Sequence, residues 1–176
     1  REMIVIAVMA AFSVVGRLIF APIPAFKPVT AITIISGVAL GPEAGFIVGS
    51  MTAVVSNMFY GQGPWTPFQM FVWGFIGFLA GVIFRKSKKP NRIVLSIVGA
   101  FGGVLLSLLM DIWTTLSLDG EFLLSRYLVN VASSLSFMAI YAVSNIVFLI
   151  ILAHPFLEKL NRIKTKYGIF GLLSNE

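Results

Sequence analysis

The sequence has no cysteine, a single histidine and few charged residues. Without cysteine there is no disulfide framework, thiolate nucleophile or thiolate metal site. The lone His154 stands beside Pro155 at the end of an apolar run, where it reads as an interfacial residue rather than a ligand. Charged residues make up 11% of the 176, against about 25% in an ordinary soluble domain. The phosphate-loop motif G-x-x-x-x-G-K-[ST] is missing, as are H-E-x-x-H, G-x-S-x-G and any His/Asp metal cluster. Asp111 is the only carboxylate inside an apolar run, too little for a relay of acidic groups. These absences exclude an ATP-hydrolysing chain of that type and the common hydrolases, and no intrinsic cofactor or metal is expected.

What is present is apolar. Hydrophobic residues reach 58%, and the mean hydropathy is +0.96. A water-soluble fold of this size cannot hide that much apolar surface, so the chain reads as an integral membrane protein in a lipid bilayer. The net charge of +6 does not indicate nucleic acid. The basic residues form two clusters, Arg85, Lys86, Lys88, Lys89 and Arg92, then Lys159, Arg162, Lys164 and Lys166. Both lie just outside apolar runs, as the positive-inside rule expects.

Six apolar segments follow from turn residues that separate them: about Met3–Phe20, Thr30–Leu40, Ala44–Tyr60, Pro67–Phe84, Ile93–Leu116 and Tyr127–Ala153. The predicted fold is all-α, one six-helix transmembrane domain over residues 1–176. The breaks are Pro22, Pro24 and Pro28, Gly41–Pro42, Gly61–Pro64, Lys89–Asn91 and Leu118–Gly120. Both termini then lie on the basic, cytoplasmic side. The second segment reaches only roughly 17 Å at 1.5 Å per residue, so it falls short of a full span. The N-terminal run reads as a first span rather than a signal peptide, because further spans follow and no cleavage pattern interrupts it. Position 1 is Arg, so an initiator methionine is expected before it. Residues 155–167 place Phe156, Leu157, Leu160 and Ile163 on one helical face, with Lys159, Arg162 and Lys166 mostly opposite, predicting a short amphipathic helix on the cytoplasmic surface.

Polar residues gather at the opposite, outer end. Asn57, Tyr60, the run Gly61–Pro67 with Gln62 and Trp65, then Gln69 and Trp73 combine aromatic faces with amides. Two readings fit: the wall of a ligand pocket, or an interfacial aromatic belt around a tight turn. Arg17 and Asp111 lie near outer helix ends, and each needs a partner or water at that depth. They either pair with one another or face a water-filled cavity. Arg126, Asn130, Ser133 and Ser134 recur about one turn apart and could line one side of it, while Tyr141 and Asn145 lie deeper and are expected to bond between helices. Small residues at Ala7 and Ala11, at Gly41, Gly45, Gly49 and Ala53, and at Gly77 and Gly81 suit close helix packing.

Six spans in so short a chain, Ala7-x-x-x-Ala11, the runs Pro24-x-x-Lys27-Pro28 and Ser36-Gly37-x-x-Leu40-Gly41-Pro42, and above all Gly61-Gln62-Gly63-Pro64-Trp65-Thr66-Pro67 resemble the substrate-binding S-components of energy-coupling factor (ECF) vitamin transporters, ABC importers of prokaryotic plasma membranes. The branch they look most like is that of cobalamin uptake. The resemblance implies a non-enzymatic binding subunit with a vitamin pocket at the outer face. It also implies docking, through Ala7 and Ala11, onto a membrane coupling protein carried by two cytoplasmic ATPases. The expected ligand contacts are Lys27, Asn57, Tyr60, Gln62, Trp65, Gln69, Trp73, Asp111, Arg126 and Asn130. Competing readings are the same family with riboflavin, folate, pantothenate or a modified-base precursor, a lipid-active membrane enzyme, and a membrane subunit with no ligand.

Overall fold

The computed structural model describes residues 1–87 and 90–170. Lys88 and Lys89 of the first basic cluster, the start of the Lys89–Asn91 break, and residues 171–176 lie outside the described residues. Among the described residues six helices follow in order: α1 (Glu2–Ile19), α2 (Val29–Leu40), α3 (Pro42–Tyr60), α4 (Trp65–Ile83), α5 (Arg92–Asp119) and α6 (Leu124–Tyr167). Among the described residues there is no strand. Helices α1, α4, α5 and α6 are long and apolar enough to cross a bilayer. Helix α3 has the length, but Gly, Ser, Thr and Asn dilute its apolar content.

The short second segment becomes the centre of the bundle. Helix α2 has 12 residues and all but Val38 are buried. It is apolar all round, which is the pattern of a helix surrounded by others. It packs on α1, α3, α4, α5 and α6. Its end is set by Gly41, at φ 105°, a conformation that β-carbon-bearing residues avoid. Pro42 then opens α3 at the first helical position, where its missing N–H costs nothing. Asn91 caps α5 by accepting from the Ile93 N–H at 2.9 Å.

The glycines of α2, α3 and α4 pack against one another. A Cβ at Gly37 would lie 2.1 Å from the Gly77 carbonyl oxygen, and one at Gly77 would lie 2.5 Å from that of Gly45. These stripes are internal contacts between backbones, close enough that no larger residue fits. In contrast, Ala7 and Ala11 are exposed on α1, on a face continued by Ile4, Val8 and Val15.

One expected boundary is corrected. Residues 155–167 do not form a separate surface helix, because α6 runs unbroken from Leu124 through Pro155 to Tyr167. At 1.5 Å per residue it is about 66 Å long. Proline weakens a helix interior, but here the continuation is held by packing. Phe156 meets Phe12 edge-on with centroids 5.6 Å apart, Leu160 is buried, and Lys164 Nζ donates to the Ala39 carbonyl at the end of α2, at 2.7 Å.

Candidate ligand-binding cavity

The site grows from the one buried cation among the described residues. Arg17, near the end of α1, is 8% exposed. Its Nη1 donates to Ser56 Oγ and, at 2.8 Å, to Asn57 Oδ1. Its guanidinium lies 4.6 Å from the Tyr60 ring centroid and 4.9 Å from that of Trp73. A hydroxyl, an amide oxygen and two aromatic faces replace the water that a buried cation loses. Of the two readings of Arg17 and Asp111, the ion pair does not form: α1 packs on α2 and α3, not on α5. Asp111 instead accepts from Ser134 on α6 at 2.6 Å.

Asn57 passes this order to α4. Its Nδ2 donates to Thr66 Oγ1 at 3.0 Å and to Gln69 Oε1 at 2.9 Å. Because the Gln69 carbonyl is engaged, its NH2 is the end left for other partners. The Gly61–Pro67 run serves this arrangement: the Thr66 N–H donates to the Gly63 carbonyl at 2.9 Å, which seats Thr66 against Asn57.

Beyond Gln69 and Trp73 opens a cavity of about 220 Å³. Its walls are Gln69 and Trp73 from α4, Leu106, Ser107, Met110 and Asp111 from α5, and Ser134, Phe137 and Tyr141 from α6. Asp111 lies about 12 Å in from the end of α5, and Trp73 equally far from the start of α4, at 1.5 Å per residue. The cavity therefore lies below the helix ends and opens sideways at Phe137, which is 49% exposed. Leu106, Met110 and Phe137 make its apolar lining, and Trp73, Asp111, Ser107 and Gln69 its polar points. Trp73 is 5% exposed, and its indole N–H has no acceptor. That is an uncommon condition for a buried donor.

Three of the ten expected contacts, Gln69, Trp73 and Asp111, line this cavity. Asn57 and Tyr60 stand behind it. Asn57 holds Gln69, and the Tyr60 hydroxyl donates to the Arg17 carbonyl at 2.8 Å. Lys27 lies 5.2 Å from the Tyr60 ring centroid. Burial, and then the neighbouring Arg17, lower its pKa from 10.5. The other four sit apart from the cavity. Gln62 donates to the Val54 carbonyl at 2.8 Å, and Trp65 is 41% exposed with its ring against Gly63. Arg126 pairs with Asp119 at 3.1 Å on the surface. Asn130 donates to Thr115 at 3.0 Å.

Ser134 lines the cavity, as its spacing suggested, while Ser133 is exposed and donates to the Val129 carbonyl. Asn145 bonds between helices, donating to the Gly99 carbonyl at 2.9 Å, whereas Tyr141 faces the cavity. Tyr141 and the apolar wall residues were not singled out by the sequence as ligand contacts. Nothing in their composition distinguishes Leu106, Met110 or Phe137 from lipid-facing neighbours. Among the described residues no cluster of His, Cys, Asp and Glu could hold a metal ion.

A family model described as "ECF-type riboflavin transporter, S component" matches residues 1–162. The chain belongs to this family. An S component is a substrate-binding subunit of a membrane transporter. Two relatives are UPF0397 proteins of Aliivibrio fischeri, one from strain MJ11 and one from strain ATCC 700601 / ES114. Each is 29% identical over 118 residues, covering 59% of this chain and 64% of the relative. This S component thus spans under two thirds of those relatives' length. No solved structure matches it.

Proposed function

We propose that this S component captures a vitamin at the outer face of a prokaryotic plasma membrane and delivers it inward after docking on an ATP-driven coupling module. Six spans with both termini cytoplasmic put the basic loop and tail inside and the cavity outside. The coupling protein and two ATPases supply the energy, since this chain has no phosphate loop. The exposed Ala7–Ala11 face of α1 is the docking surface, because its small side chains let a partner helix approach.

The observation that carries this reading is the cavity between α4, α5 and α6, where Gln69, Trp73 and Asp111 stand among apolar walls. Ligand pockets combine an apolar lining with a few placed polar groups. Such pockets span about 300–1,000 Å³, so 220 Å³ suits a compact flat ring system better than a corrinoid. Together with the family description, this favours riboflavin or a similar flavin. The second reading is cobalamin. Gln62 and Trp65 are exposed at the same end and would meet the amide arms of a ligand that overfills the cavity.

Calorimetric titration of the detergent-solubilised chain with riboflavin, cyanocobalamin and folate tests the proposal. One-to-one binding of riboflavin alone is the expected result. Binding of cobalamin alone establishes the second reading. No heat with any of the three overturns the cavity as a site for these vitamins.

A further inference from the structure

At the end of the bundle away from the Gln69–Trp73 cavity, α5 and α6 part around a second hollow of about 330 Å³. It lies between the start of α5 and the stretch of α6 around Pro155. Arg92 from α5 and His154, Glu158 and Asn161 from α6 line it, over an apolar floor that includes the buried Leu95 and Ala153. Among the described residues Arg92 joins no ion pair, and Glu158 meets only the His154 ring, at 3.3 Å. Beside the hollow runs an apolar groove of about 420 Å³ between the same two helices. Arg92 lines both, and beyond it the groove is walled by Ile93, Ile97 and Ala100 on α5 and by Ile146 and Ile150 on α6. Ile146, Ile150, His154 and Glu158 are each four residues apart, so they lie along one face of α6. Hollow and groove are therefore one track, polar at its mouth and apolar along about 12 Å of α5 from Arg92 to Ala100. Ile93, Ile97 and Ile150 are exposed, which leaves the track open to the membrane.

We propose that this track holds one phospholipid whose headgroup carries both a phosphate and a primary ammonium, as phosphatidylethanolamine does. In the orientation given under the proposed function, the lipid belongs to the cytoplasmic leaflet. Arg92 takes the phosphate, as basic residues beside a membrane helix do. Glu158 and the Asn161 side-chain carbonyl accept from the ammonium, and an acyl chain lies along the isoleucines of the groove. The groove by itself selects nothing, since lipid tails are as apolar as its walls. The choice is made at the mouth, where one cation and one carboxylate stand in the same hollow. A purely anionic lipid satisfies Arg92 but sets a second negative charge beside Glu158. A choline headgroup brings the positive charge without an N–H, so it forgoes the charge-assisted hydrogen bond that an ammonium makes to a carboxylate.

The test offers the full chain in detergent phosphatidylethanolamine, phosphatidylcholine and phosphatidylglycerol with identical acyl chains, and native mass spectrometry reads the lipid retained. Wild type is expected to keep one phosphatidylethanolamine, about threefold to fivefold over either of the others, the range set by exposed charge pairs. Glu158→Gln is expected to bring phosphatidylethanolamine and phosphatidylcholine level. Arg92→Gln is expected to lower all three by about fivefold. Ala100→Phe fills the groove and is expected to lower all three without changing their order. Equal retention of the three lipids by wild type, or a preference for phosphatidylglycerol, overturns the headgroup assignment. Retention unchanged in both Arg92→Gln and Ala100→Phe overturns the site. Either failure leaves the vitamin cavity standing, because the track shares no residue with it.

Discussion

Replacing Asn57 by Leu removes one side chain on which three helices depend. Asn57 is 1% exposed. It accepts from Arg17 on α1 and donates to Thr66 and Gln69 on α4. Hydrogen bonds between membrane helices average only about 0.6 kcal/mol, which alone would make the loss small. Here the substitution also strands a buried guanidinium donor and the Gln69 carbonyl, and each unsatisfied group costs about 1–3 kcal/mol. The stranded groups dominate, so the expected loss is about 2–4 kcal/mol. For a chain of 150–250 residues this corresponds to a drop of about 5–15 °C in Tm. Thermal unfolding of the detergent-solubilised protein reads it, and calorimetry reads the accompanying loss of ligand affinity as Gln69 swings free. Arg17→Met serves as the partner variant. Because Arg17 and Asn57 satisfy one another, the double variant is expected to lose about 1–2 kcal/mol less than the two single losses combined. A Tm for Asn57→Leu within 2 °C of wild type (roughly 1 kcal/mol or less), or strict additivity in the cycle, would refute the idea that Asn57 carries the order of Arg17 to the cavity wall.

Four further outcomes are expected. Gly77→Ala forces a methyl group into the Gly45 backbone and should cost about 1–3 kcal/mol, read as a lower Tm or loss of monodisperse protein in size-exclusion chromatography. Gln62→Ala and Trp65→Ala should each weaken riboflavin binding less than Gln69→Ala does, since neither lines the cavity; a reversed order in titration would move the site to the Gly61–Pro67 turn. Ala7→Leu with Ala11→Leu should leave vitamin affinity unchanged and abolish co-purification with the coupling protein and ATPases. Burial lowers the pKa of Lys164 from 10.5, so below the lowered value the folded chain carries the full cost of the buried ammonium. That cost lifts as pH rises through the lowered value toward 10.5. Stability should therefore rise with pH in that alkaline window, and Lys164→Met should flatten the rise in a series of melting curves.

Much of this protein follows from local chemistry that any sequence displays. Long apolar runs punctuated by Gly41–Pro42, Gly61–Pro64 and Gly120 set where the helices begin and end, because positive-φ glycines and helix-starting prolines act within a few residues of themselves. Polar residues set in apolar runs, such as Asn57, Gln69, Trp73 and Asp111, stood out because burying them demands a reason, and the structure brings them to one cavity and its supporting contacts. Tertiary packing decided the rest. Arg17 takes Asn57 and Ser56 rather than Asp111 because α1 adjoins α3 and not α5, and helix adjacency is not written in any one segment. Residues 155–167 continue α6 past Pro155 because Phe156, Leu160 and Lys164 find partners beneath α1 and α2, contacts that outweigh a local helix breaker. Leu106, Met110 and Phe137 became cavity walls for the same reason. An apolar side chain in a membrane helix is equally at home against lipid or ligand, and only the rotation of its helix among its neighbours determines which of the two it faces.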